Sequence, residues 1–120
     1  MNLPHLPPIK FAKHTLFCDK NLAKVMCEFP STPTLPMFVE AAAQSSIAFA
    51  KDETPRNGFL VLIKEFSLHE IPKSLSCIVA IERKLSLGNS SEFYVEIFEK
   101  EDDGVMYACG SLMIILEDIQ

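Results

Sequence analysis

The sequence predicts an α+β domain in which one long helix packs against one antiparallel sheet. Three observations carry that expectation. Residues 37–50 are rich in alanine, contain no Gly or Pro, and space their apolar residues as a helix does. After Gly58 the apolar period switches from 3.6 to 2. The alternating segments beyond it are joined by the turn sequences Gly88-Asn89-Ser90 and Asp102-Asp103-Gly104. One helix followed by a run of strands belongs to the α+β class.

Residues 1–10 are proline-rich and read as an arm, which at its widest extends to residue 14. Residues 15–19 and 22–29 are short apolar-leaning runs around the turn-like Asp19-Lys20-Asn21, and read as a small hairpin. Thr32-Pro33-Thr34-Leu35-Pro36 then places threonine and proline at the entry of a helix over about residues 35–50. Phe38, Ala41, Ala42, Ser45 and Phe49 follow the i, i+3, i+4, i+7, i+11 pattern and form its core face. Glu40, Gln44 and Lys51 carry the opposite face. Small side chains between two phenylalanines let this helix lie close to its support.

Residues 51–58 read as a charged loop. Strands are predicted over residues 59–67, 74–87, 92–100 and 105–116, as an antiparallel meander. In the second of these Leu75, Cys77, Val79 and Ile81 alternate with Ser74, Ser76, Ile78 and Ala80. In the third Phe93, Val95 and Ile97 alternate with Tyr94, Glu96 and Phe98.

The 120 residues and 13.4 kDa amount to a single domain, large enough to build a core without disulfide or metal staples. The net charge is −5, with 11 basic against 16 acidic residues and no basic stripe, which argues against a nucleic acid partner. The longest apolar runs are five residues, at 59–63 and 112–116, against the roughly 20 that a membrane-spanning helix needs. The first eight residues hold three prolines and no apolar core, so they are not a signal peptide, and a cytoplasmic protein is expected. Cys18, Cys27, Cys77 and Cys109 lie 9, 50 and 32 residues apart without metal-ligand spacing, and read as buried thiols. The sequon Asn89-Ser90-Ser91 has no meaning without a secretory route. The acidic cluster Glu99, Glu101, Asp102 and Asp103 lacks the spacing of a calcium loop and reads as a solvated hairpin tip. Neither a metal nor a cofactor is expected.

From Glu28 to Gln44 the residues run Glu28-Phe29-Pro30-Ser31-Thr32-Pro33-Thr34-Leu35-Pro36-Met37-Phe38-Val39-Glu40-Ala41-Ala42-Ala43-Gln44. This resembles the signature of the β-hydroxyacyl-(acyl carrier protein) dehydratases, a branch of the hotdog fold: H-F-P-x-x-P-x-x-P-G, a few apolar residues, then E-A-x-A-Q. Pro30, Pro33 and Pro36 keep the spacing, as does the block Glu40-Ala41-Ala42-Ala43-Gln44. Leu3-Pro4-His5, and Phe66 followed by Pro72 and Leu75, extend the similarity over most of the chain. The resemblance implies a hotdog fold, one long central helix wrapped by a five- or six-stranded antiparallel sheet. It also implies a homodimer, or dimers assembled further, and an open sheet edge on a single unit points the same way. The sequence departs from the signature at Glu28, which stands where the family has its catalytic histidine, and at Met37, which replaces its glycine. The stretch from Pro36 to Glu40 is two residues shorter, and the first hairpin is abbreviated.

Those departures bear on the chemistry. Dehydration of a 3-hydroxyacyl thioester uses an imidazole whose pKa lies near neutrality, and Glu28 offers a carboxylate instead. If Glu28 and Glu40 were close, their repulsion would drive one of them protonated. Hydrolysis of a thioester asks only for a polarised carbonyl and a carboxylate that activates water or attacks. Glu40 resembles the helix carboxylate of hotdog thioesterases, with Gln44 one turn along on the same face. The expectation is an acyl-thioester protein, acting on acyl-CoA or acyl carrier protein. Its catalytic candidates are Glu40 and Glu28, and its substrate-binding candidates are Pro36, Met37, Phe38 and Gln44. Non-catalytic acyl binding and a divergent dehydratase are the alternatives. His5, His14 and His69 read as surface or locally bonded histidines. Lys64, Lys73, Arg83 and Lys84 are candidates for the mouth of the site only by lying in the strands after the helix, and read as solvated strand-edge residues.

Overall fold

The computed structural model describes residues 10–49, 56–101 and 104–118. Six strands and one helix follow in the order β1 (Ala12–Cys18), β2 (Leu22–Glu28), α1 (Leu35–Ser45), β3 (Arg56–Leu68), β4 (Ser76–Leu87), β5 (Ser90–Glu99) and β6 (Met106–Asp118). All pairings are antiparallel, and the sheet order is β1-β2-β4-β5-β6-β3. The strands are those the period-2 segments predicted. The meander is not. β4 gives one edge to β2 and the other to β5, so β3 is displaced to the free edge of β6. Alternation fixes which residues face inward and leaves neighbours undetermined.

Every second residue on the inner face is buried: Ala23, Val25 and Cys27 on β2, Cys77, Val79 and Ile81 on β4, and Phe93, Val95 and Ile97 on β5. The helix supplies Phe38, Ala41, Ala42 and Ser45, and Phe49 follows in a 3-10 turn. This is the face that the sequence predicted. The helix touches β1 and β3, the two outermost strands, as well as β2, β4 and β6. A flat six-stranded sheet is about 24 Å across against a helix about 10 Å thick, so contact with both edges means that the sheet wraps the helix.

Pro36 opens the helix and Thr34 caps it only through its carbonyl, which accepts from Phe38 N–H at 3.0 Å. The α-helical part stops at Ser45, earlier than expected, and residues 46–49 tighten into the 3-10 turn. Two serine hydroxyls bond back into the last turn, Ser45 Oγ to Ala41 O and Ser46 Oγ to Ala43 O, each at 2.7 Å. A chain of aromatic contacts anchors the helix start: Phe11 to Phe29 at 4.9 Å, Phe29 to Phe38 at 5.5 Å, and Phe38 to Tyr107 at 6.1 Å. At the other end Phe49 stacks on Phe93, with the Arg83 guanidinium 4.7 Å above the Phe49 ring.

Other boundaries shift for local reasons. β1 begins at Ala12, so residues 12–14 are strand and not arm, while residues 1–9 lie outside those described. Of the expected charged loop, residues 51–55 also lie outside, and residues 56–58 already belong to β3. Asp102 and Asp103 of the acidic hairpin tip are likewise outside the described residues. Leu75 precedes β4 and is exposed, although its carbonyl accepts from Phe29 N–H. Only two of the four cysteines are buried, Cys27 and Cys77; Cys18 is exposed on the edge strand and Cys109 is half-buried on the outer face.

Between Lys64 and Ser67 β3 carries a bulge against β6. Glu65 takes a φ of 51°, in the left-handed region that side chains rarely adopt. Phe66 there folds down onto Gly110 of β6, where a Cβ would overlap Phe66 Cα. The missing side chain at residue 110 is what admits the bulge.

The protein's two tyrosines both sit in this sheet. Burial first, and then the neighbouring Cys109 and Glu96, push the Tyr94 phenol up to about 12. Burial also raises Tyr107. A folded-state value above the ordinary 10.0 leaves stability intact below that pH and removes it as pH rises toward 12. The phenolate absorbance of the folded protein is therefore expected to show no transition centred near 10. A full tyrosine titrating there before unfolding would contradict this.

Candidate functional site

Between β1 and the exposed flank of α1 lies an open groove of about 630 Å³. Ala12, Val25 and Ala48 give it an apolar floor, and Ser45 closes it on the core side. Its other polar residues are Glu40 and Gln44 from the helix, Lys13, His14 and Thr15 from β1, and Lys10 just before that strand.

Gln44 organises this wall. Its Oε1 accepts from the backbone N–H of Phe11 at 2.7 Å and of Ala12 at 3.1 Å. Two backbone donors require the oxygen on that side, so the amide nitrogen must face the other way. There Nε2 donates to Glu40 Oε2 at 3.2 Å. The i, i+4 spacing puts the two side chains one above the other on the helix. One amide thus ties the edge strand to the helix and aims a carboxylate along the groove.

The structure distributes the sequence-derived candidates unevenly. Glu40 and Gln44 share the groove. Glu28 does not border it: the inward residues of β2 are Ala23, Val25 and Cys27, which sends Glu28 to the outer face, where it is exposed. Pro36 is exposed at the helix start, one turn before Glu40 on the same stripe. Met37 is half-buried and packs against the core, and Phe38 is fully buried within it.

None of the basic residues of the later strands borders the groove. Lys64 pairs with Glu92 at 3.9 Å, Lys84 with Glu82 at 3.4 Å, and Arg83 covers Phe49. Lys10, Lys13 and His14 line the groove instead. They fall in the stretch read as an arm, where the signal for a strand was weakest. Among the described residues no three His, Cys, Asp or Glu side chains gather to hold a metal ion, and no helix is long and apolar enough to cross a membrane.

Solved structures share this architecture. The dehydratase heterocomplex ApeI:P from Xenorhabdus doucetiae superposes with a TM-score of 0.78 at 12% identity, over 97% of this chain and 88% of that one. A sigma28-regulated virulence protein from Campylobacter jejuni gives 0.71 at 16% identity, over 98% and 92%. A hypothetical thioesterase from Streptococcus pneumoniae, solved with coenzyme A, gives 0.68 at 9% identity, over 89% and 87%. At such identities the likeness is one of fold, and the fold is the hotdog: a single helix wrapped by a six-stranded antiparallel sheet. No protein-family model matches the sequence, and no curated protein matches it.

Proposed function

We propose that this hotdog protein binds acyl thioesters, of coenzyme A or of acyl carrier protein, and hydrolyses them with Glu40 as the base that activates water. The observation that carries the reading is the placement of Glu40 in an open groove, held by an amide whose orientation two backbone N–H groups fix. A carboxylate so aimed is suited to take a proton from water as the water oxygen attacks the thioester carbonyl. The thiolate then leaves and recovers that proton. Lys10, Lys13 and His14 at the rim suit an anionic carrier, whose phosphates they would meet. The N–H groups of Leu35 and Met37 at the start of α1 are the donors proposed for the carbonyl oxygen; Pro36 between them has none, and the Phe38 N–H is taken by Thr34 O. Glu28, on the outer face, is assigned no step.

The same reading includes a homodimer joined through β3. Of the two sheet edges, each with two register shifts against its partner, β1 has 7 residues and exposes Leu16 and Phe17, whereas β3 has 13 and exposes Leu62, Ile63 and Leu68. A long apolar edge is a template for pairing with a second copy. Light scattering is expected to give twice 13.4 kDa at micromolar concentration, and a monomer would refute the dimer.

Binding without turnover is the second reading, favoured by Met37, since a side chain at the helix start narrows the approach that glycine would permit. A panel of acyl-CoA substrates with free-thiol detection, beside mass spectrometry of co-purifying ligand, separates the two. Thiol release supports hydrolysis. Retained acyl ligand without release supports binding, and neither result on any chain length defeats both.

A further inference from the structure

The four cysteines sit in unequal surroundings. Cys27 and Cys77 are buried opposite one another on β2 and β4. Cys18 is exposed, and its thiol donates to Ala48 O at 3.2 Å and Asp19 O at 3.5 Å, with no imidazole among these partners. Cys109 differs. It lies half-buried on the outer face of β6, apart from the groove, and its Sγ is 3.1 Å from Nε2 of His69, the residue that follows β3. The Tyr94 hydroxyl lies beside the same sulfur while donating to Glu96 Oε2 at 3.2 Å.

A thiolate, and not a thiol, is the nucleophile, and an imidazole in hydrogen-bond reach generates it and then stabilises it as the imidazolium. Glu96, opposite Cys109 in register, acts against the anion, and the Tyr94 hydroxyl engages its carboxylate. His69 is held independently of its ring, because its backbone N–H donates to Tyr107 O at 2.7 Å.

We propose that Cys109 is a reactive-thiol modification site that forms reversible mixed disulfides with low-molecular-weight disulfides of the glutathione class, with His69 accepting its proton. The Cys109 proton passes to His69 Nε2, and the thiolate attacks one sulfur of the small disulfide. A new S–S bond forms at Cys109 as the reagent's own S–S bond breaks. The departing thiolate takes the proton back from His69. One disulfide is consumed and one is made, so no further oxidant enters.

The test is exposure of the native protein to oxidised glutathione, with each cysteine followed by peptide mass spectrometry under non-reducing conditions. Exposure alone would favour Cys18; the dyad predicts that Cys109 is modified first, faster by about tenfold. His69→Ala is expected to slow Cys109 by about the same factor and to leave the rate at Cys18 unchanged. Modification of Cys18 ahead of Cys109 would overturn the proposal. So would a His69→Ala protein in which Cys109 reacts as before, or in which both sites slow together.

Discussion

Glu40→Gln is expected to lower kcat for thioester hydrolysis about a hundredfold or more, with little change in KM or thermal stability. The substitution keeps the size of the side chain and its position on an exposed helix flank, so the core facing the other way is untouched. What it removes is the proton acceptor. Gln44→Ala should cost less, about tenfold, and should also weaken the start of β1, because Phe11 and Ala12 N–H lose their acceptor. The two losses should not add, since Gln44 acts through Glu40. Hydrolysis that survives Glu40→Gln intact would remove the carboxylate from the mechanism.

Gly110→Ala carries the largest expected effect on stability, about 3 kcal/mol, seen as a Tm lower by about 10 °C and a matching fall in urea midpoint. The new methyl would overlap Phe66 Cα and stand within 2.5 Å of the ring carbons Cγ and Cδ2. A ring can swing aside; the Phe66 backbone, held between the Lys64 and Ser67 pairings to β6, has far less room to move. For that reason Phe66→Ala in the same chain should restore only part of the loss. A cost below about 0.5 kcal/mol would mean that the bulge around Glu65 relaxes freely.

The helix was the most legible element because its pattern is local. Phe38, Ala41, Ala42, Ser45 and Phe49 announce a buried stripe by spacing alone, and that is the stripe the sheet covers. Cys77, Val79, Ile81, Phe93, Val95 and Ile97 announced inward faces in the same way. Strand neighbours did not follow, since nothing in residues 59–67 says that their partner lies in residues 106–118. The edge strand was equally hard to read. All but the first residue of β1 is exposed, so Lys13 and His14 carry no burial pattern to mark them as strand or as groove wall. The Glu40 and Gln44 pair was visible from its four-residue spacing. The role of Gln44 in pinning a strand more than thirty residues away in sequence depends on tertiary structure.

The displaced β3 also governs how the chain can fold. β4 pairs with β5 and β5 with β6 through short turns, so these three strands can form early. β3 must wait: Leu68 meets Ala108, and Arg56 meets Asp118, across spans that include all of β4 and β5. A chain made from its N-terminus therefore holds β3 without a partner until the last strand has been synthesised. Closing so long a loop before any contact rewards it makes this the slow step, and places folding in the millisecond-to-second range expected of non-local sheets. Truncation within β6 would strip a partner from β3 and from β5 at once, opening two edges where the intact fold has one on that side.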